Sequence, residues 1–178
     1  MGYFRLGKER EALAQRGESY RSTVSKFLQS KGLRVEAESS IEGSFEDIIM
    51  AEADTSRICV ECKASKMSLH SRRFLEPFCV YLTRFIRLPR EARFRTFFFL
   101  REVTSPREFK EVFQDSNPQA LATLRGDCSR LVSRLLEENP SRDLVNPVEI
   151  GDDEFLEFVN SVDVYEGDIR DLEDATRL

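Results

Sequence analysis

The sequence predicts an α/β protein with a mixed central sheet flanked by helices, and three observations carry that expectation. Apolar residues recur at helical spacing over 9–31, 71–88 and 118–138, shorter apolar runs occupy 33–38, 45–52, 57–64 and 94–103, and the two kinds of segment alternate along the chain. The 178 residues match one ordinary hydrophobic core, which at this length buries roughly 70% of the unfolded surface. Residues 1–115 read as the core, and 116–178 as a mostly helical, acidic extension packed on it or following it.

The first helix is predicted from Leu13, Tyr20, Val24, Phe27 and Leu28, with Gly17 weakening its middle and Gly32 ending it. Leu33, Val35 and Ala37 then alternate with Arg34, Glu36 and Glu38, the pattern of a strand with one wet face. After a turn over 39–44, FEDIIMAE and RICVECKA read as two strands of a hairpin joined through 53–56. Phe74, Phe78, Tyr81, Leu82, Phe85 and Ile86 make one stripe of a helix over 71–88, with Pro77 expected in its first turn.

Phe94 to Val103 is a buried strand with neighbours on both faces. Helices follow at 106–113 and 118–138, the second amphipathic through Leu121, Leu124, Leu131, Leu135 and Leu136. In the last third, short strands are expected at 148–150 and 162–165 around a helix at 152–160, with the final dozen residues fraying.

Forty per cent apolar and 33% charged residues exclude collagen-like and wholly disordered classes. No apolar run reaches the roughly 18 residues of a membrane span and the first residues lack a signal-peptide core, so a cytoplasmic protein without membrane attachment is expected. Four cysteines without a secretory signal read as reduced thiols, and a single histidine, His70, removes HExxH proteases and most histidine-based triads. The net charge of −5 hides an asymmetry: residues 63–110 carry 12 basic and 4 acidic side chains, whereas 137–178 carry 3 and 14. One face can therefore attract a polyanion despite the acidic total.

The informative residues are Asp47, Glu61 and Lys63. If the hairpin centres on Asp54, positions summing to 108 lie opposite one another, Asp47 faces Glu61, and both share a face with Lys63. Opposed carboxylates repel and call for a cation, and a hard divalent ion such as Mg²⁺ suits oxygen ligands. Such an ion stabilises charge on a phosphodiester and lowers the pKa of a bound water, while Lys63 is placed to orient that water or neutralise the developing charge. An exposed hairpin carrying an ordinary Glu/Lys pair is the bland alternative.

With the segments RGESYRSTVSKFLQSKGLRVEAES, FEDIIMA and ICVECKAS, the chain resembles the PD-(D/E)xK nuclease superfamily, and within it Mrr-like restriction nucleases and archaeal Holliday-junction resolvases. The resemblance covers about residues 9–103 and implies a restriction-endonuclease-like αβββαβ core. It further implies metal-dependent cleavage of DNA to a 3′-hydroxyl and a 5′-phosphate. Asp47 and Glu61 would hold Mg²⁺ or Mn²⁺, with Lys63 beside the attacking water. Arg21 stands where many relatives carry a first-helix Glu, and Glu18, one turn earlier, is the candidate replacement.

Arg72, Arg73 and Arg84 head the basic segment and are the candidate DNA contacts. The CxxC spacing of Cys59 and Cys62 puts the sulfurs on opposite strand faces, so no zinc site is expected there. The Phe97 to Phe99 run reads as core. Two rival readings stay open: a non-catalytic member of the fold that binds nucleic acid or scaffolds a complex, and a protein-binding domain. A homodimer fits the task of cutting two strands, and the acidic C-terminus suggests a regulatory contact, with the basic segment or with a protein partner.

Overall fold

In the computed structural model, which describes residues 3–36, 48–53, 56–168 and 176–177, the chain opens with α1, Tyr3–Ser30, and passes into β1, Arg34–Glu36. Gly32 ends the helix with φ +82°, a conformation that glycine adopts without steric cost. The Gly32 N–H donates to the Gln29 carbonyl at 3.0 Å, and the Leu33 N–H donates to the Leu28 carbonyl at 3.1 Å. These two bonds close the helix end, and Leu28 and Leu33 pack in the same apolar cluster.

Strand β2, Ile48–Ala53, and the long β3, Ser56–Met67, form the expected hairpin, but its register differs by one residue. Ala53 pairs with Ser56, so two residues rather than four separate the strands, and Ile48, not Asp47, stands opposite Glu61. A two-residue connection is the commonest way to join antiparallel strands, and shifting its centre by half a position moves every partner by one. Asp47 itself, like the turn at 39–44, lies outside the described residues.

Helix α2, Arg72–Arg87, begins a full turn before Pro77, which sits inside it rather than in its first turn. Pro77 cannot donate to the Arg73 carbonyl. Burial of Phe74 and Leu75 upstream carries the helix through that lost bond, at roughly 2 kcal/mol for each buried apolar side chain. β4, Arg95–Val103, α3, Pro106–Phe113, and α4, Pro118–Glu138, follow. Asn117 caps α4 through bonds from the Gln119 and Ala120 N–H groups.

The strand expected at 148–150 is instead a 3-10 turn, Pro147–Glu149, because Asn146 caps the Val148 N–H and Pro147 presets the backbone. Then come α5, Asp152–Asn160, and β5, Val162–Glu166. The expected fraying of the last dozen residues is corrected in part, since β6, Thr176–Arg177, pairs with β5.

The strands form one six-stranded mixed sheet in the order β1-β2-β3-β4-β5-β6. Strand β2 is antiparallel to both β1 and β3; β3, β4 and β5 are parallel, and β6 is antiparallel to β5. The C-terminal segment thus contributes strands to the same sheet as well as helices. On one face α1 packs Tyr20, Val24 and Leu28 against Ile58, Val60, Cys62 and Phe99. On the other, α2, α3, α4 and α5 bury Cys59, Phe98, Leu100, Val162 and Val164 beneath Phe74, Phe78, Phe109 and Phe158. No described helix is long and apolar enough to cross a membrane.

Candidate active site and basic cleft

Glu61 and Lys63 lie two residues apart on β3 and so project on one face, as their spacing predicts. The face is not open to solvent, however: α2 covers it, and Glu61 is fully buried. Alternation within a strand separates two faces without saying what lies over either. Its carboxylate is held from both sides. Oε2 accepts from the Tyr81 hydroxyl at 3.1 Å, and Oε1 lies 2.5 Å from Lys63 Nζ, whose side chain is 22% exposed. Taking a carboxylate out of water costs several kcal/mol, and the cation and the hydroxyl both offset that cost.

Immediately past Lys63 the ladder slips. Lys63 pairs with Leu100 and Lys66 with Glu102, so Ala64 and Ser65 lie against the single residue Arg101. Such a bulge bends its strand and re-aims the neighbouring side chains, and bulges are over-represented beside functional sites. Here it opens a cleft of about 460 Å³ at the ends of β3 and β4, lined by Arg16 and Gly17 of α1, Lys63, Lys66, Arg73 and Arg101, with Glu102 the acidic residue of its wall.

Lys63 therefore belongs both to the buried pair and to the cleft. Lys66 Nζ is 2.5 Å from Glu102 Oε1, and Arg101 Nε is 3.1 Å from Asp168 Oδ1. Arg16 and Arg73 make no ion pair with a described residue. With three cations matched by carboxylates and two left over among the described residues, these side chains give the cleft a positive surplus suited to an anionic ligand.

Of the residues singled out in the sequence, Glu61, Lys63 and Arg73 come together here. Glu18 is exposed on α1 next to Gly17 and is not part of the cleft wall. Arg72 is engaged by Glu76 at 3.0 Å and Glu138 at 3.3 Å, and it lines a different groove beside His70. Arg84 is half-buried in the last turn of α2, away from the cleft.

Burial pushes the Glu76 carboxyl up, but hydrogen bonds and charge from Arg72 and Arg142 outweigh it and hold Glu76 below the usual carboxylate range. His70 Nδ1 meets Asp127 Oδ2 and its Nε2 lies 3.9 Å from Glu108, which ties the start of α2 to α3 and α4.

All four cysteines are buried, and Cys59 and Cys62 occupy the two opposite clusters, as strand alternation requires. Burial and a hydrogen bond with Cys79 push the Cys128 thiol well above its ordinary value, which suits packing rather than nucleophilic chemistry.

Four residues of this region escaped the sequence reading. Tyr81 falls on an apolar stripe in the sequence, yet a buried tyrosine hydroxyl needs an acceptor, and that need is the available signal. Lys66 and Arg101 lie in the basic segment but were not separated from its other cations. Arg16 carried no signal, because its place in the cleft depends on how far α1 reaches across the sheet.

As a donor set for a divalent ion, the described residues supply one carboxylate at this site, and no group of three or more His, Cys, Asp or Glu side chains among them gathers to hold a metal. A second carboxylate would have to come from outside the described residues. The chain matches no family model, no curated protein and no solved structure in the comparisons made.

Proposed function

We propose that this chain is a divalent-metal-dependent DNA endonuclease with a restriction-endonuclease-like core. One observation carries the reading: the buried Glu61–Lys63 pair sits at a strand bulge and opens through Lys63 into a cleft rich in arginine and lysine. Support also comes from the order α1, β1, β2, β3, α2, β4, which is the αβββαβ succession of the PD-(D/E)xK nucleases that the sequence resembles.

In this reading Glu61 and Asp47 would hold Mg²⁺ or Mn²⁺. When bound, the ion supplies charge neutralisation and a water of lowered pKa. The chain's own groups do the rest. Arg16, Arg73 and Arg101 bind the phosphate backbone as point charges and forks. Tyr81 orients the Glu61 carboxylate, and α2 excludes bulk water from it. Lys63 Nζ, 2.5 Å from Glu61 Oε1, stabilises negative charge as it develops on the scissile phosphate.

A second reading, binding without cleavage, is favoured by the engagement of both Glu61 oxygens, one by Tyr81 and one by Lys63. Titration of Mg²⁺ or Mn²⁺ against linear, supercoiled, single-stranded and branched DNA separates the two. Metal-dependent cuts that Glu61→Ala abolishes in a folded protein support the nuclease. Binding with no cuts at any metal concentration selects the second reading, and neither binding nor cuts rejects both.

A further inference from the structure

We propose that the β4–β5–β6 half of the sheet face that carries α1 is a binding track for single-stranded nucleic acid. Side chains at every second position of β4 share a face, so Arg95, Phe97, Phe99 and Arg101 form one row about 20 Å long, ending at the basic cleft. α1 packs over β1 and β3 and reaches this row by setting Phe27 against Phe99 at 6.0 Å, whereas the other described helices all pack on the opposite face.

Phe97 is accordingly half-buried, unlike Phe98 and Phe99, and meets edge-to-face at 5.6 Å the half-buried Tyr165 of β5, which stacks one ring face on Phe99 at 5.0 Å and leaves the other for a base. The Arg95 guanidinium lies 5.3 Å from the Phe97 ring centroid. Arg95 and Arg177, 53% and 57% exposed, both pair with the buried acid Asp163, which among the described residues leaves one positive charge in surplus. At the cleft end Arg101 is matched by Asp168.

Aromatic rings flanked by half-exposed guanidinia, on a sheet face that the described helices leave partly exposed, are the chemistry that holds an unpaired strand. Bases stack on the rings while phosphates meet the cations. A duplex keeps its bases in its own stack and cannot offer their faces to Phe97 and Tyr165. The track asks nothing of Glu61 or of a metal, so it stands apart from the cleavage reading and adds strandedness to it.

The test is fluorescence anisotropy with a short labelled oligothymidylate and a duplex of equal length, in EDTA so that no cleavage intervenes. The wild-type chain should bind the oligothymidylate more tightly. The double variant Phe97→Leu, Tyr165→Leu keeps apolar volume but removes both π faces, and should weaken that binding about tenfold while leaving the duplex unaffected. Arg177→Gln, which leaves Arg95 on Asp163, should flatten the salt slope by about 0.7. Equal oligothymidylate affinity in wild type and a folded double variant, or a wild-type preference for duplex, overturns the proposal. If the double variant does not fold, an unchanged salt slope in Arg177→Gln overturns it instead. Loss of metal-dependent cutting in Glu61→Ala leaves these binding results unaltered, so the two readings fail separately.

Discussion

Tyr81 on α2 donates its hydroxyl to Glu61 Oε2 on β3 at 3.1 Å, and this bond joins the covering helix to the one buried carboxylate of the candidate active site. Removing the hydroxyl leaves an acceptor without its donor where water does not reach. Tyr81→Phe should therefore cost about 1–3 kcal/mol in urea unfolding. If Tyr81 orients a metal-ligating carboxylate, the same variant should also weaken metal affinity or cleavage by about 10–100-fold. A stability loss with unaltered metal dependence would confine Tyr81 to packing.

Lys63 and Glu61 should behave as a coupled pair. Lys63→Met strands a buried carboxylate and should destabilise by about 3 kcal/mol, while Glu61→Gln with Lys63→Met should recover most of that loss. A double-mutant cycle measured by urea unfolding checks this, with a coupling energy above about 1 kcal/mol expected. Additive effects would show that the 2.5 Å contact contributes little to stability.

Asp168 offsets the charge of Arg101 at the rim of the basic cleft. Asp168→Asn should raise affinity for DNA at low salt, and the gain should vanish near 1 M salt, where the Debye length falls to about 3 Å. This substitution tests autoinhibition by the acidic end more cleanly than truncating residues 167–178. Truncation would also remove β6 and the Arg177 that pairs with Asp163. Equal low-salt affinity in Asp168→Asn and wild type would leave the acidic end without a role in occupying the cleft.

Glu76 links stability to pH. Its carboxyl is held below the usual range by Arg72 and Arg142 against the opposing effect of burial. Its contribution is therefore fully present above the unfolded carboxylate pKa and is lost as pH falls through the lower folded value. Glu76→Gln should destabilise by about 1 kcal/mol or less at neutral pH, and the difference from wild type should shrink on acidification below the ordinary carboxylate range. A constant difference across that range would assign the effect to packing.

Helices α1, α2, α3 and α4 and strands β3 and β4 were legible in the sequence because each carries a local signal. Gly32 stops α1, Asn117-Pro118 starts α4, and strand alternation sets Ile58 and Val60 against Cys59 and Glu61. The shared face of Glu61 and Lys63 was legible for the same reason, since it depends only on a period of two.

What tertiary structure alone decided was which surfaces meet. Nothing local says that α2 lies over Glu61, that Tyr81 ends within hydrogen-bond reach of it, or that Arg16 of α1 closes a cleft with Arg101. The hairpin register turned on where the turn is centred, half a position beyond Asp54, a difference small in sequence but enough to exchange Asp47 for Ile48 opposite Glu61. Phe97 and Phe99 have the same residue type, strand and face. They differ because Phe27 of α1 reaches one and not the other, and a residue's own sequence neighbourhood carries no record of where a helix ends its coverage.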